Sequence, residues 1–190
     1  MTAGDSAEPT GRTVLLICGS VRVGSVNAAV LRTAAELLPA PFVGVMYAGL
    51  AGLPLFNPDL DRDPLPEAVV ALRAAVAGAA ALVFSTPEYA GAMPGALKNL
   101  LEWTVGGVEI GGKPTGWLNP STGPTGAAGT YESLGSVLRY TDAAVIEEAC
   151  VAVPVPRALV VDDRIADEAV RERIAGCVVQ LVAAACANVA

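Results

Sequence analysis

The sequence has 190 residues, a formal net charge of -7 and a composition that is 53% hydrophobic. That length favours one domain with a sizeable core, since domains average about 150 residues, and the composition excludes disorder for most of the chain. The 12 Lys and Arg residues are scattered, which argues against nucleic acid and membranes as partners. Because there is no histidine, His-ligated metal sites and catalytic sites with a histidine base are excluded.

The first twelve residues, "MTAGDSAEPTGR", carry acidic residues and no apolar stretch of the kind found in secretory signals. We therefore expect residues 1–12 to be a disordered lead-in, residues 13–190 to form one domain, and the protein to be cytoplasmic. Four cysteines are far apart and form no CxxC pair, which favours reduced and buried thiols. They are Cys18, Cys150, Cys177 and Cys186.

Short apolar runs alternate with helix patterns along the chain. The runs predict strands at residues 13–18, 42–47, 80–85, 114–119 and 144–153, and their lack of polar alternation is typical of strands covered on both faces. Apolar residues at i, i+3, i+4 and i+7 predict helices between the strands, as in the set Leu31, Ala34, Ala35 and Leu38 and the set Leu97, Leu100, Leu101 and Thr104. Five strand–helix units in sequence predict an α/β fold with a doubly wound, five-stranded parallel sheet.

The C-terminal segment "AGCVVQLVAAACANVA" is apolar enough to suggest a membrane anchor. It has 16 residues and contains Gln180 and Asn188, whereas a spanning helix needs about 20 predominantly apolar residues. The stripe formed by Val170, Ile174, Cys177, Val178, Leu181 and Ala185 indicates a helix that covers the sheet.

The loop "CGSVRVGSVN" follows the first predicted strand and leads into a helix. In an open parallel sheet, ligands bind beyond the carboxyl ends of the strands. The two glycines permit unusual backbone angles, the hydroxyl and amide side chains offer donors, and the helix start adds free N–H groups. Arg22 adds a positive charge, so the loop predicts a phosphate site. A plain turn with a serine cap is the alternative.

Two familiar phosphate-binding motifs are absent from this loop. "GSVRVGS" lacks the third glycine of the dinucleotide fingerprint, and there is no Walker lysine. A phosphatase loop of the Cys-x5-Arg type requires arginine where Gly24 stands. Cys18 is therefore interpreted as a strand-end residue, although its position near a helix start suggests a somewhat acidic thiol.

A second loop, "TPEYAGAMPGALKNLLEW", follows the third predicted strand and starts a helix near Pro94. Together the two loops resemble those of the NADPH-dependent FMN reductase family: "GSVRVGSVN" is similar to its "GSxRxxSxN" segment and "PEYAGAMPGALKN" to its "PEYNxSxPGxLKN" segment. "LPLFNPDL" is similar to the family's loop after the second strand. The resemblance covers residues 13–155 and implies a flavodoxin-like fold with strand order 2-1-3-4-5.

The resemblance also implies a set of FMN-binding residues. The phosphate is expected at Ser20, Arg22, Ser25, Val26 and Asn27; the isoalloxazine ring at Pro87, Glu88, Tyr89, Ala90 and Gly91; and the pyrimidine edge of the flavin at Ser121, Thr122 and Gly123, in the loop after the fourth strand. Ala90 and Ala92 stand where the family has Asn and Ser, which removes polar side chains near the ring.

The resemblance further implies an NAD(P)H oxidoreductase that uses NADPH or NADH as reductant. Hydride passes to the flavin and then on to an electron acceptor at the same site, and the acceptor is a quinone, a free flavin or an azo compound. The cofactor carries the chemistry, so no catalytic side chain and no metal are expected, and Glu88 is interpreted as structural. A flavodoxin-type electron carrier and a flavin-free binding protein of the same fold remain the alternatives.

Trp103 bears on the oligomeric state. It lies on the predicted helix about 120° from Leu97, on the side of Ala96 and Asn99, and a large aromatic side chain off the apolar stripe often marks an interface. Because family members form dimers in this region, a homodimer or homotetramer is expected with Trp103 at its contact. A tryptophan that lies along the surface of its own domain is the alternative.

Overall fold

The computed structural model describes residues 12–187. Its central sheet consists of five strands, β1 (Arg12–Cys18), β2 (Phe42–Met46), β3 (Ala81–Ser85), β4 (Pro114–Asn119) and β5 (Ala144–Ala152). Neighbouring strands are parallel, in the order β2-β1-β3-β4-β5. The predicted strand boundaries are each within one residue of those observed, and the predicted order is confirmed.

Five helices cover the sheet: α1 (Val26–Leu37), α2 (Glu67–Ala77), α3 (Gly95–Trp103), α4 (Ala128–Tyr140) and α5 (Glu168–Ala187). Successive residues of β1 enter different cores. Val14 and Leu16 pack in a cluster with α1 and α5, and Leu15 and Ile17 pack in a second cluster with α2, α3 and α4. Both faces of β1 are therefore buried, which explains its unbroken apolar sequence.

A short hairpin and three 3-10 turns in residues 12–187 were not predicted from the sequence. A two-stranded antiparallel hairpin, β6 (Val160–Val161) and β7 (Arg164–Ile165), precedes α5, and a single 3-10 turn, Arg157–Leu159, precedes the hairpin. Further 3-10 turns at Leu50–Gly52 and Pro58–Leu60 lie in the long connection after β2. Residues 1–11 of the predicted lead-in lie outside the described residues. Arg12, assigned to that lead-in, is instead the first residue of β1.

The interpretation of Trp103 as an interface anchor was wrong. Its side chain is fully buried within the chain, where Nε1 donates a hydrogen bond of 2.8 Å to the carbonyl oxygen of Pro54 and the indole packs edge-to-face with Phe56. Asn99, one turn earlier on α3, also bonds to Pro54 and to the amide of Phe56. The connection after β2 thus covers the side of α3 that helical periodicity placed outside the core.

α5 carries the predicted buried stripe, with Ile174, Cys177, Val178, Leu181 and Ala185 in the core. No helix within residues 12–187 is long and apolar enough to cross a membrane. The four cysteines are free thiols, of which Cys18 and Cys177 are buried, Cys150 is half-buried and Cys186 is exposed. The expectation of buried thiols was therefore wrong for Cys186, which lies on the exposed face of α5, next to the buried Ala185, and accepts a hydrogen bond from Nη1 of Arg12.

Candidate functional site

The candidate site lies at the carboxyl ends of β1, β3 and β4. In the sheet, β1 lies between β2 and β3. The chain goes from β1 to β2 on one side and then returns to β3 on the other, so the strand order reverses between β1 and β3 and a crevice opens there. The amide of Gly19 donates a 2.9 Å hydrogen bond to the carbonyl of Ser85, which joins the loops that follow β1 and β3. A Cβ added at Gly19 would lie 2.1 Å from Thr86 Oγ1, so only glycine permits this close approach.

The loop after β1, residues 19–25, ends at the start of α1. Gly24 has a φ of +65°, a conformation that glycine adopts without strain. Ser25 is the N-cap residue of α1 but makes no capping hydrogen bond with its side chain, and the first turn of α1 holds no acidic residue. The N–H groups of that turn are therefore without a side-chain cap, and they offer a positive helix end to an anion.

Asn27 lies in this first turn and is buried. Its Oδ1 accepts a 2.9 Å hydrogen bond from Ser85 Oγ at the end of β3. Because Oδ1 is occupied, the Nδ2 group is left to donate to a ligand. The pairing fixes the side chain between the two strands that flank the crevice.

Cys18 does not have the acidic thiol that its position suggested. Burial raises the pKa of the Cys18 thiol and outweighs the opposing effects of a hydrogen bond to the carbonyl of Ser20 and of the charge on Arg32. The thiol therefore stays protonated near neutral pH, which supports its interpretation as a strand-end residue.

The loop after β3, residues 86–94, is fixed to the start of α4. Glu88 Oε2 accepts a 3.1 Å hydrogen bond from the backbone N–H of Thr130, and Thr130 Oγ1 donates to the carbonyl of Pro87. α4 begins after Ala127, which has no side chain able to cap it. Glu88 therefore supplies the missing cap from another loop, and its negative charge lies where the helix dipole stabilises it.

Tyr131, also on α4, ties the same loop to the sheet. Its hydroxyl lies 3.2 Å from the carbonyl of Thr86 and 3.1 Å from that of Leu118, and it accepts from the amide of Thr86. Burial raises the pKa of the Tyr131 hydroxyl. The phenol thus remains a neutral donor that joins the ends of β3 and β4.

The tip of the loop after β3 is a tight turn. Tyr89 and Ala92 exchange backbone hydrogen bonds of 3.0 and 3.2 Å, and the two residues between them, Ala90 and Gly91, have φ values of +53° and +75°. Two successive positive φ values are typical of a two-residue hairpin turn that favours Asn followed by Gly. Ala90 therefore occupies a backbone conformation that suits asparagine better than alanine.

The loop after β4 is organised by Asn119. Its Oδ1 accepts from the amide of Ser121 at 3.0 Å, and its Nδ2 donates to the carbonyl of Gly126 at 2.7 Å. Ser121 Oγ in turn accepts from the amide of Gly123. This network holds the hydroxyl groups of the loop at the edge of the crevice.

The three loops enclose a cleft of about 420 Å³, which is within the range of small-molecule sites. Seven of the predicted residues line it: Val26, Asn27, Pro87, Glu88, Ser121, Thr122 and Gly123. The other six predicted residues, Ser20, Arg22, Ser25, Tyr89, Ala90 and Gly91, belong to the same loops but are not among those that line it. The structure therefore brings the loops together as expected.

Six further residues line the cleft and were missed: Thr86, Pro120, Thr125, Ala127, Val155 and Arg157. Thr86, Pro120, Thr125 and Ala127 lie in the same loops after β3 and β4 as the predicted residues, so the loops were predicted although these members were not named. Val155 and Arg157 come after β5 and reach the cleft only because the chain crosses back over the strand ends. No local pattern in "VPVPRAL" marks them.

Comparison with known proteins identifies the family. Residues 12–156 match the family model of NADPH-dependent FMN reductase. The chain belongs to this family. It is therefore an FMN-dependent NAD(P)H oxidoreductase of flavodoxin-like fold, as the two strand-end loops predicted.

Individual relatives agree with that assignment. The chain is 39% identical over 131 residues to an NAD(P)H-dependent FMN reductase of Pseudomonas aeruginosa, covering 68% of this chain and 70% of the relative. It is 34% identical over 138 residues to a 2-hydroxy-1,4-benzoquinone reductase of Burkholderia, covering 71% and 74%. Among solved structures, the flavoenzyme NAD(P)H:(acceptor) oxidoreductase FerB from Paracoccus denitrificans superposes with a TM-score of 0.81 at 26% identity, covering 92% of this chain and 97% of FerB.

The residues of the cleft fit FMN. The uncapped first turn of α1 and the amide of Asn27 suit a phosphate. Four residues that carry hydroxyl groups, Thr86, Ser121, Thr122 and Thr125, line the remaining wall, and residues of this type suit a polyol chain and the polar edge of a ring. Pro87 and Val155 add apolar surface. The cleft therefore suits a ligand that has an anionic group at one end and a flat ring, partly polar and partly apolar, at the other.

Proposed function

We propose that the protein transfers reducing equivalents from NADPH or NADH through FMN to a small quinone, in two half-reactions that use one site in turn. The names of the Burkholderia and Escherichia coli relatives, both quinone reductases, favour a quinone over a free flavin or an azo compound. The observation that carries the proposal is the cleft itself, where the uncapped start of α1 lies beside preformed loops after β3 and β4.

We assign the residues to three parts of the cofactor. Ser20, Arg22, Ser25, Val26 and Asn27 bind the phosphate; Pro87 through Gly91 lie along the ring; and Ser121, Thr122 and Gly123 bind its pyrimidine edge. When bound, FMN supplies the hydride and electron chemistry. The chain's own residues position the cofactor and donate backbone N–H groups where negative charge develops. Van der Waals surface from Pro87 supports the ring.

No side chain is assigned as a proton donor. Glu88 is the carboxylate of the ring loop, but its Oε2 is engaged by the N–H of Thr130 at the start of α4. That contact supports a structural role. We therefore expect the reaction to depend on the cofactor and on its placement, with protons exchanged with solvent.

The decisive test is spectroscopic and kinetic. Protein purified and titrated with FMN should develop a protein-bound flavin spectrum, and NADPH or NADH should bleach it without oxygen. A quinone should then restore it, and initial rates at varied quinone should give the parallel lines of a ping-pong mechanism. Bound flavin that NAD(P)H does not reduce would favour an electron carrier. No flavin binding would favour a flavin-free binding protein and reject the assigned site.

We propose that a second copy of the chain covers the groove between α3 and α4, as a homodimer or as part of a homotetramer. The groove has a volume of about 360 Å³ and is lined by Leu101, Val105, Val137 and Tyr140 among others. Val105 and Tyr140 expose 46% and 82% of their surface there, and Val108, which lines an adjoining pocket with both of them, exposes 76%. Such an apolar cluster favours a protein contact. This surface replaces Trp103 as the expected contact.

Sedimentation tests the surface directly. Val105→Glu and Tyr140→Glu should lower the sedimenting mass, because a buried charge disfavours the interface. Val161→Glu, at an exposed apolar residue of the β6–β7 hairpin, is the matched control and should leave the mass unchanged. A monomeric parent, or variants with the parent's mass, would reject this contact.

We also keep two broader proposals. One is that residues 13–190, together with Arg12 at the start of β1, act as a single FMN-binding domain. The other is that the protein works in the cytoplasm on small-molecule acceptors, which its net charge of -7 and its four free thiols support. Fractionation of the native cells with an antibody to the protein tests the location, and limited proteolysis tests the domain.

A further inference from the structure

Arg157 is the one arginine among the residues that line the cleft. It begins the 3-10 turn Arg157–Leu159 that follows β5. Its Nη1 donates a hydrogen bond to the carbonyl of Gly24 in the loop after β1, although 133 positions separate the two residues. The guanidinium therefore reaches the loop that precedes α1 from a distant part of the chain.

The charge of Arg157 has no carboxylate partner within residues 12–187. Of the other arginines in residues 12–187, four form an ion pair with an Asp or Glu, namely Arg32, Arg73, Arg164 and Arg171. The rest of the arginines in this range, Arg12, Arg22, Arg62, Arg139 and Arg173, form none, so what distinguishes Arg157 is its place at the cleft. After its bond to Gly24, the guanidinium retains four N–H groups. It therefore has unused capacity for a negatively charged ligand.

The location of this charge is unfavourable in the absence of an anion. A helix carries a partial positive charge at its N-terminus, which repels a neighbouring cation. The first turn of α1 contains no acidic residue, and both Arg22 and Arg157 belong to the loops beside it. Arg157 is held beside this helix start by its bond to Gly24, and Arg22 is a second cationic residue of the same loop, so the two favour an anionic ligand there.

We infer that Arg157 is a second cationic ligand of the FMN phosphate, acting together with Arg22 and holding the loop through Gly24. This inference rests on the proposed function. A phosphate monoester carries nearly two negative charges at neutral pH. One arginine neutralises half of that charge, and a second neutralises the remainder.

Paired titrations with FMN and riboflavin test the inference, since riboflavin has no phosphate. Arg157→Gln keeps a donor for Gly24 but removes the charge, and it should weaken FMN binding roughly tenfold to hundredfold while leaving riboflavin binding unchanged. Arg157→Lys should recover part of the FMN affinity. Arg173→Gln is the matched control, because Arg173 is also exposed and donates to a backbone carbonyl, that of Ala152, outside the cleft.

The pH dependence gives a second readout that a purely structural role would not change. The phosphate gains its second charge near pH 6, so the parent should bind FMN more tightly at pH 7 than at pH 5. The increase in FMN affinity from pH 5 to pH 7 should be smaller in Arg157→Gln, because one of the two arginines that attract the second phosphate charge has been removed. Riboflavin titrated at both pH values corrects for other titrating groups.

The outcomes separate this inference from the proposed function. A parent that binds neither FMN nor riboflavin rejects the assigned site as a whole. A parent that binds FMN normally, with Arg157→Gln equal to Arg173→Gln, rejects only the role of Arg157. Equal losses for FMN and riboflavin also overturn it, since they indicate a change in loop shape. A changed preference for NADPH over NADH with unchanged FMN affinity places Arg157 at the nicotinamide cofactor, which likewise contradicts the inference.

Discussion

The loops after β1 and β3 lie side by side at the cleft but are built differently. The loop after β1 exposes Val21, Arg22 and Val23, and inside it the amide of Arg22 bonds to Ser20 Oγ at 3.3 Å. The loop after β3 is tied to α4 through Glu88, Tyr131 and Ser133. The first loop thus presents donors to a ligand, whereas the second is shaped by the protein itself.

This difference matches the two ends of the ligand. A phosphate supplies its own charge and organises donors around it, so the loop after β1 needs little internal bonding. A flat ring offers weaker and less directional contacts, so the surface against which it lies must be formed in advance. If this contrast is right, substitutions at the contact between the two loops, and within the loop after β3, should affect the stability of the protein.

The largest effect is expected from Gly19→Ala, because the added Cβ would lie 2.1 Å from Thr86 Oγ1 and 2.6 Å from Thr86 Cβ. Pushing the two loops apart should lower the free energy of unfolding by roughly 2 to 3 kcal/mol, the cost of overpacking a tight site. Urea denaturation measures it. Gly176→Ala is the control, since no atom lies within 4 Å of its Cβ position on α5, and it should raise stability by about 0.5 to 1 kcal/mol.

A second substitution identifies the cause of the Gly19→Ala effect. Thr86→Gly removes the two nearest of the three atoms that the new Cβ meets and leaves only Leu97 Cδ2 at 3.0 Å, so the double variant should lose less than the sum of the two single variants. Simple additivity would mean that the loops do not collide at this position.

The next effect concerns Tyr131→Phe, which removes the hydroxyl shared by the loop after β3 and the end of β4. The variant leaves buried backbone groups of Thr86 without this partner, and it should lower the free energy of unfolding by about 1 to 2 kcal/mol. Hydrogen exchange at the Thr86 amide should accelerate. Tyr47→Phe, which removes the hydroxyl of a half-buried tyrosine outside the loop after β3 and outside α4, should change neither quantity. If both variants behave alike, the hydroxyl does not fix the loop.

The sheet was predictable from the sequence because its strands are covered on both faces. Val14 through Ile17 pack alternately into the two cores, so every position of this stretch is apolar. An unbroken apolar run of this length is typical of a buried parallel strand. The phosphate and ring loops were predictable because parallel strands end at one edge of the sheet, so loops that follow β1 and β3 must meet.

Other features depend on contacts that no local pattern encodes. Trp103 lies off the apolar stripe of α3, and its burial depends on how the connection after β2 folds back onto the helix through Pro54 and Phe56. Arg157 reaches Gly24 only because the chain returns over the strand ends after β5. The positive φ of Ala90 could not be predicted from the sequence, because alanine is uncommon in that conformation.

A smaller effect is expected from Glu88→Gln, which keeps an acceptor for the N–H of Thr130 but removes the charge at the start of α4. The interaction with the helix dipole should cost about 0.5 to 1 kcal/mol of the free energy of unfolding, and added salt should reduce that difference. Glu148→Gln, at an exposed position on β5, controls for the loss of one negative charge. A salt-independent difference would show that the charge of Glu88 is not what stabilises the contact.

The smallest effect is expected at the tip of the loop after β3. Ala90 has a φ of +53°, and asparagine tolerates this conformation better than alanine, since its short polar side chain bonds locally. Ala90→Asn should therefore raise the free energy of unfolding by about 0.5 to 1 kcal/mol. Ala92→Asn makes the same chemical change two residues on, outside the positive-φ positions of the described chain, and should give no gain. If both substitutions stabilise equally, the gain comes from a surface amide, and the turn is not strained by its alanine.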